Sequence, residues 1–264
     1  MLNFLTIGAW REPDVHASAR QSSRHAQNSD IESQIERLWK EGRKNPQIHL
    51  FDGPMCRLES FQVAGGKLRL ELSSTSYRVF FGTNLRGNVA QIDPRCRANP
   101  LGVSAGLISA DRQLMLGHRN NAVAYYPNRI HPFAGTFEPR DEGNVFAAVR
   151  RELMEELNVQ AAQIESILCL GLVEDVSLLQ PELIFAARLD LPAARIAAQV
   201  DPAEHGKCFS IRADASQIER ALAAESSSMT PVAVATLLLT GRHLAGEPWF
   251  NLQSRQFTLL PPSS

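Results

Sequence analysis

The segment Arg151-Glu-Leu-Met-Glu-Glu156 carries the clearest set of side chains with a chemical use. On a helix, residues three and four apart share a face, so Glu152, Glu155 and Glu156 converge. Carboxylates crowded in this way repel one another, and desolvation increases the repulsion. A hard divalent cation such as Mg²⁺ or Mn²⁺ reverses the effect, because it prefers oxygen ligands and then takes substrate phosphates as further ligands. The segment therefore indicates either a metal site for phosphate chemistry or a solvated acidic helix face.

A helix from Val145 to Leu157 must position these carboxylates. Its apolar stripe lies next to the acidic face, with Glu156 nearest the stripe, so the spacing predicts half-buried carboxylates. Arg151 can restrain a neighbouring carboxylate through a charge-assisted hydrogen bond. The stripe consists of Val145, Val149, Leu153 and Leu157.

The context of the helix favours the metal site, because a glycine loop precedes it and Asn158 follows it. Together these segments resemble the box of the Nudix hydrolase family, which is a glycine, a loop with a glutamate, then Arg-Glu-apolar-x-Glu-Glu-x-Gly-apolar. The residues that match are Gly135, Arg151, Glu152, Leu153, Glu155, Glu156 and Val159.

Two departures from that box stand out. The loop from Gly135 to Arg151 is two residues longer than the family spacing, so Asp141 or Glu142 only approximates the loop glutamate. Asn158 replaces the closing glycine, at a position where a left-handed backbone is expected and asparagine is the best substitute.

The resemblance implies a role for each matched residue. Glu152, Glu155 and Glu156 would bind the divalent metals, with the backbone carbonyl of Ala134 as a further ligand. A water held by the metals would attack one phosphorus of a diphosphate, while the metals and arginines such as Arg151 stabilise the developing charge.

The general base varies within the family and stays open here. Glu152 is one candidate, and Glu174 and Glu182, on or near a later strand, are others. Glu182 could equally be a fourth metal ligand or a surface carboxylate at the start of a strand.

A wider resemblance covers most of the chain and concerns the branch of the family that cleaves UDP-sugars. It implies hydrolysis of UDP-glucose and UDP-galactose to UMP and sugar 1-phosphate, with Mg²⁺ as cofactor and Mn²⁺ as a substitute. Many relatives dimerise, so a homodimer is compatible with it. Two alternatives stay open, namely action on another nucleoside diphosphate derivative such as ADP-ribose and a non-catalytic nucleotide-binding module. The matching segments are residues 51–54, 75–78, 81–84 and 99–103, the pair Glu138-Pro139 and the region from Pro202 to Phe209.

Several other side chains are candidates for substrate binding. A uracil or ribose needs stacking and edge hydrogen bonds, which hydroxyls, an amide and a ring can supply. Turn capping and a core aromatic would explain the same residues equally well. Arg119 and Arg129 flank the loop that leads to the box, and Arg119 is the preferred clamp for a diphosphate. The remaining candidates are Thr75, Ser76, Tyr77, Thr83 and Asn84.

Strand pairs mixed with helices predict an α/β layered fold of the α+β type, and the resemblance makes it a Nudix α/β/α sandwich with an additional N-terminal β-rich region. The first 98 residues hold a hairpin around Gly65-Gly66 and a mobile segment at 17–30. A helix begins after Asp30 and ends at Pro46, while residues 87–100 form a loop. Residues 99–264 form the Nudix domain, which needs about 150 residues, so we expect the N-terminal part to select the substrate.

The charge balance excludes other classes of function. The 264 residues contain 27 Lys and Arg against 28 Asp and Glu, with no bulk positive field for nucleic acid. No apolar run is long enough to span a bilayer, and we recognise no signal peptide. The four cysteines form no CxxC pair, which predicts reduced thiols in a cytoplasmic protein.

Overall fold

A large mixed β-sheet dominates the computed structural model, which describes residues 2–19, 28–44, 50–121, 123–202 and 205–258. In this described part, eight strands form the sheet, in the order β1-β9-β10-β5-β6-β11, with β7 paired to β6 and β8 paired to β5. Its strands are β1 (Leu2–Trp10), β5 (Gly102–Ile108), β6 (Gln113–Arg119), β7 (Ile130–His131), β8 (Phe133–Thr136), β9 (Ile164–Asp175), β10 (Gln180–Leu189) and β11 (His205–Arg212).

Helices cover both faces of this sheet. On β10, alternate side chains reach the two sides, with Leu183 and Phe185 facing α3 and Ile184 facing α6. The predicted α/β/α sandwich is therefore confirmed. The helices are α1 (Ser29–Gly42), α2 (Tyr77–Phe80), α3 (Val145–Leu157), α4 (Ala193–Ala197), α5 (Ala215–Glu225), α6 (Pro231–Ala245) and α7 (Glu247–Ser254). In the described ranges, no helix is both long and apolar enough to cross a bilayer.

A second, three-stranded sheet lies in the N-terminal part of the chain, in the order β2-β4-β3. It consists of β2 (Val15–Ala19), β3 (Pro54–Ala64) and β4 (Lys67–Ser76). The predicted glycine hairpin joins β3 to β4, with φ values of 58° and 76° at Gly65 and Gly66. One face packs on the α3 side of the main core through Leu68, Leu70 and Leu72.

Two local expectations, the start and the end of the first helix, are corrected by the structure. Helix α1 begins at Ser29 because Asn28, not Asp30, caps it, accepting hydrogen bonds from the amides of Asp30 and Ile31. It ends at Gly42, and Pro46 and most of the predicted mobile segment lie outside the described residues. Residues 87–100 form the predicted loop, with 3-10 turns at Val89–Gln91 and Pro94–Cys96, and Arg57 anchors it by donating hydrogen bonds to the carbonyls of Pro94 and Arg97.

Strand β1 was missed by the sequence analysis. It pairs antiparallel with β9 at the edge of the main sheet, from Leu2 opposite Asp175 to Trp10 opposite Cys169. Leu2–Trp10 therefore lie in the same sheet as residues of the C-terminal half. The boundary near residue 98 stays a prediction.

Candidate active site

Helix α3 begins and ends where the sequence predicts. The Asn144 side chain caps its first turn by accepting from the amides of Phe146 and Ala147. Asn158 follows the last turn with a φ of 52°, in the left-handed region expected there. The four stripe residues are buried in the core. The acidic positions are therefore held on a helix with both ends capped.

Arg151 is the centre of an ion-pair network around the acidic face. Its guanidinium donates to Asp141 at 3.0 and 3.1 Å and to the Thr136 carbonyl at 3.0 Å. The Nη1 nitrogen is shared by Glu152 and Glu155, the latter at 3.2 Å. Burial acts to lower the pKa of Arg151, but the hydrogen bond to Asp141 and the carboxylates outweigh it and raise that pKa.

This network decides between the two loop carboxylates. Asp141 is 6% exposed and also accepts a hydrogen bond from the Glu138 amide at 2.8 Å. Glu142 is exposed and adopts a left-handed φ of 51° at the end of the turn. Of these two carboxylates, Asp141 is thus the one that contacts Arg151.

The carboxylate of Glu152 lies directly against the backbone of Gly135 in β8. A methyl group at Gly135 would collide with both carboxylate oxygens of Glu152, so only glycine leaves this space open. Ala134, the predicted carbonyl ligand, precedes Gly135 and lies opposite Ser104 of β5. The glycine that opens the box therefore acts as a cradle for the first glutamate of the helix.

The other two helix glutamates lie in different environments. Glu155 is about half exposed and also contacts Arg140 at 3.5 Å. Glu156 is 3% exposed rather than half-buried, because the end of α3 is covered by the segment that leads to β11. Its Oε2 lies 3.6 Å from Nε2 of His205. Burial lowers the pKa of His205 to about 4.

The donor atoms fit a hard divalent cation in kind. All the side-chain ligands are oxygens, which Mg²⁺ and Mn²⁺ prefer. In the arrangement of the described residues, no three His, Cys, Asp or Glu side chains converge closely enough to hold a metal ion. Arg151 donates from one shared nitrogen to Glu152 and Glu155, so two of the three predicted ligand carboxylates lie on the same side of that arginine.

Glu182 lies on β10 close to the same cradle. It pairs across the sheet with Gly102, whose missing side chain leaves room for the Glu182 carboxylate, and it accepts a hydrogen bond from Ser104. Burial raises the pKa of Glu182 to about 7. Glu174 lies on β9 next to β1, opposite Asn3, and burial raises its pKa as well.

Arg119 lies at the end of β6 with its guanidinium over the ring of Tyr125, at 4.8 Å from the ring centroid. Its positive charge acts to lower the pKa values of Glu182, Tyr77 and His205, which places it among these groups. The other loop arginine, Arg129, points elsewhere and donates to the Ser227 carbonyl.

Two other residues lie in this region. Tyr125 was missed by the sequence analysis, although an arginine and an aromatic residue beside one loop could have suggested the contact. His131 hydrogen-bonds Thr230 in the core and has a structural role.

The N-terminal candidates divide into two groups. Thr83 and Asn84 are buried and support the backbone, since both accept from the Ala98 amide and Asn84 donates to the Leu178 carbonyl at 2.8 Å. They are not presented to a ligand. Ser76 precedes α2 without capping it. Tyr77 is partly buried beside Trp39 and Phe80.

Thr75 has a buried hydroxyl with no hydrogen-bond partner among the residues that the structure describes. A buried hydroxyl left without a partner is costly, so this group is available to a ligand. The geometry thus keeps Thr75, Ser76 and Tyr77 as candidates for substrate contact.

The described geometry defines a mixed α/β protein. The glutamates of its helix α3 are paired with Arg151, and the first of them contacts Gly135. Comparison with known proteins adds curated relatives, which are all named uridine diphosphate glucose pyrophosphatases. The human protein is 30% identical over 173 residues, 53% of this chain and 57% of its own length. The mouse protein is 25% identical over 245 residues, 79% of each chain. The similarity confirms the resemblance stated from the sequence.

The extent of these matches is limited. The chain spans little more than half the length of the human relative and of the one from Bos taurus, which is 30% identical over 167 residues. No protein-family model matches the chain.

Solved structures show only a partial likeness. The Nudix domain of a Shewanella oneidensis protein, solved with ADP ribose, is 18% identical with a TM-score of 0.39, covering 59% of this chain and 94% of that one. An Ap4A hydrolase from C. elegans is 17% identical with a TM-score of 0.39, covering 56% and 99%.

Proposed function

We propose that this protein is a Nudix-type pyrophosphatase that hydrolyses the diphosphate of UDP-sugars, UDP-glucose and UDP-galactose, to UMP and sugar 1-phosphate with Mg²⁺. The observation that carries the proposal is the contact of the Glu152 carboxylate with the backbone of Gly135. Arg151 forms an ion pair with Glu152 and is itself held by Asp141. In this arrangement the Glu152 carboxylate is set beside the Ala134–Gly135 backbone with its charge balanced by Arg151. The curated relatives support the choice of a UDP-sugar substrate.

The metal would be held by Glu152, Glu155, Glu156 and the carbonyl of Ala134. When bound, it would neutralise the diphosphate and stabilise the charge that develops on its oxygens. Asp141 keeps Arg151 in place when Glu152 and Glu155 turn to other partners, because its two oxygens hold Nε and Nη2 independently of Nη1. Arg151 is thus available to balance the acidic cluster as ligands enter and leave.

Glu182 is our preferred general base. Burial raises its pKa to about 7, so its carboxylate can accept a proton from a water near neutral pH. Glu152 is less suited, since its carboxylate is already engaged in an ion pair with Arg151. Glu174 is less suited because it lies toward β1, at the outer edge of the sheet.

The substrate would extend from the cradle toward Arg119. That guanidinium can bind a diphosphate, while Thr75, Ser76 and Tyr77 offer hydroxyls and a ring for the uridine. This arrangement gives residues 1–98 a part in choosing the substrate, with residues 99–264 as the catalytic domain. A cytoplasmic location stays a prediction.

A substrate panel with product identification tests the proposal. UDP-glucose, UDP-galactose and ADP-ribose are each incubated with the protein and Mg²⁺, and the products are identified by mass spectrometry. We expect UMP and sugar 1-phosphate from the UDP-sugars, with no product when EDTA replaces Mg²⁺. Preferential turnover of ADP-ribose would show that the substrate is an adenine nucleotide derivative and not a UDP-sugar. Binding of the panel without any product would mean a nucleotide-binding module.

A further inference from the structure

The contact between Arg119 and Tyr125 leaves a donor of the Arg119 guanidinium available to bind an anion. The guanidinium carbon lies over the tyrosine ring, 4.8 Å from its centroid, and Nε is buried with no hydrogen-bond partner among the described residues. A guanidinium directs its donors in the plane of the group, so contact with a fixed ring restricts the directions in which they point. A buried cationic donor without a partner is costly unless a ligand supplies the acceptor.

The Tyr125 ring is itself held from two sides. Its centroid lies 6.2 Å from Phe80 at an interplanar angle of 85° and 5.8 Å from Tyr126 at 66°, both edge contacts. Phe80 belongs to α2 and packs in a small core cluster with Met55 and Ala98 of the N-terminal region. One side of the ring is thus fixed by a core cluster, and the other depends on the conformation of Tyr126.

Tyr126 combines a strained backbone with a hydrogen-bonded hydroxyl. Its φ is 50°, a left-handed conformation that a bulky residue rarely adopts, and Pro127 follows it. Its hydroxyl donates to Oδ2 of Asp175 at 2.7 Å, and Asp175 is 2% exposed. The other oxygen of Asp175 accepts from the Ser177 amide at 2.9 Å. Strain of this kind persists only where surrounding contacts determine the conformation.

We propose that the hydrogen bond from Tyr126 to Asp175 is a positioning device, which holds the Tyr125 ring beneath Arg119 and so presents that arginine to the diphosphate of the substrate. Asp175 lies on the hairpin that carries Glu182, at the end of β9, while Glu182 lies near the start of β10. The bond from Tyr126 to Asp175 therefore fixes the position of Arg119 relative to the hairpin that carries Glu182, the preferred general base.

The two adjacent tyrosines have opposite requirements under this arrangement. Tyr126 acts through its hydroxyl, because that group makes the bond to Asp175. Tyr125 acts through its ring, because the ring carries the guanidinium. Removal of each hydroxyl should therefore have different consequences, which a general loss of packing would not produce.

The experiment measures binding of inorganic pyrophosphate by calorimetry, in EDTA and without any nucleotide, to the full-length protein. We expect Tyr126→Phe and Tyr125→Leu each to weaken binding by about tenfold, which corresponds to about 1.4 kcal/mol. Tyr125→Phe keeps the ring and should restore binding to within about twofold of the wild-type protein. Thermal unfolding of each variant is followed in parallel to show that the fold is kept.

The outcomes separate this inference from the proposed function on which it rests. Equal affinity of Tyr126→Phe and the wild-type protein would overturn the positioning role, and so would equal losses in Tyr125→Phe and Tyr126→Phe. A wild-type protein that binds no pyrophosphate would overturn it as well. The hydrolysis of UDP-glucose is measured separately with Mg²⁺, so a failure of the proposed substrate would not resemble any of these results.

Discussion

At the scale of single residues, the candidate site depends on matched pairs of a carboxylate and the group that makes room for it or balances it. Glu152 needs Gly135, and Glu182 needs Gly102. The resemblance to the Nudix box singles out Glu152 and Gly135 in the sequence. It does not predict the second pair, because Gly102 and Glu182 meet only through strand pairing across 80 positions of sequence.

The cradle at Gly135 can be tested with one methyl group. We expect Gly135→Ala to reduce hydrolysis by about a hundredfold, because it displaces the Glu152 carboxylate from the reacting position. Overpacking should reduce the free energy of unfolding by about 1–3 kcal/mol at most.

The matched control for this substitution is Gly206→Ala, since a methyl group there meets no atom of the described residues within 4 Å. Steady-state kinetics and urea denaturation of both variants provide the comparison. Equal activity of the two variants would contradict the cradle.

The raised pKa of Glu182 predicts a dependence of stability on pH in metal-free protein. Burial raises this pKa from 4.5 to about 7, so between these values the folded protein binds a proton that the unfolded chain releases. The contribution of Glu182 to stability is thus present below pH 4.5 and is lost as the pH rises through 7, by up to about 3 kcal/mol. We expect Glu182→Gln to gain stability relative to the wild-type protein between pH 5 and pH 8.

Urea denaturation in EDTA at these two pH values measures the difference. If the variant differs from the wild-type protein by the same free energy at pH 5 and pH 8, then Glu182 does not titrate with the pKa that its burial implies.

At the scale of secondary structure elements, helix α3 is the best predicted part of the molecule. The strands β8 and β1 are predicted least well. Periodicity gives the bounds of α3, and the left-handed Asn158 follows from its place after the last turn. The short strand β8 and the edge strand β1 lack a clear alternation of their own. They exist because β5 and β9 offer unpaired edges, which is a tertiary effect that local patterns do not contain.

The end of α3 gives a direct test of the closing position. Asn158 has a φ of 52°, so Asn158→Ala should reduce the free energy of unfolding by about 1 kcal/mol. Asn158→Gly should match or slightly exceed the wild-type stability, because glycine adopts this conformation without a steric cost. Urea denaturation of the three proteins measures both effects, and an alanine variant as stable as the glycine variant would contradict the role of this residue.

At the scale of the whole molecule, the N-terminal part contacts the rest of the chain through a strand and a side-chain hydrogen bond, in addition to the covalent connection. Strand β1 extends the main sheet, and Asn84 holds the turn between β9 and β10 through the Leu178 carbonyl. The sequence analysis interpreted Asn84 as a substrate contact, since a polar side chain near a strand end suits either role. Its partner is 94 positions away, so no local pattern could show it.

These connections predict one cooperative unfolding transition for the full chain. Tryptophan fluorescence, to which Trp39 of α1 contributes, and far-UV circular dichroism should give the same midpoint in urea. A chain that starts at residue 99 lacks β1 and Asn84, and we expect it to show no cooperative transition. Two separate transitions in the full chain, or a stable truncated chain, would show instead that the two parts fold independently.

The most direct test of the account is the rate of UMP release from UDP-glucose with Mg²⁺, compared among the wild-type protein, Glu152→Gln and Glu165→Gln. Glu165 is an exposed glutamate on β9, paired with Arg188, and serves as the control. We predict release of UMP and glucose 1-phosphate by the wild-type protein and the control, and a rate at least about a hundredfold lower for Glu152→Gln. The absence of UMP from the wild-type protein, or equal rates for Glu152→Gln and the wild-type protein, would contradict the account.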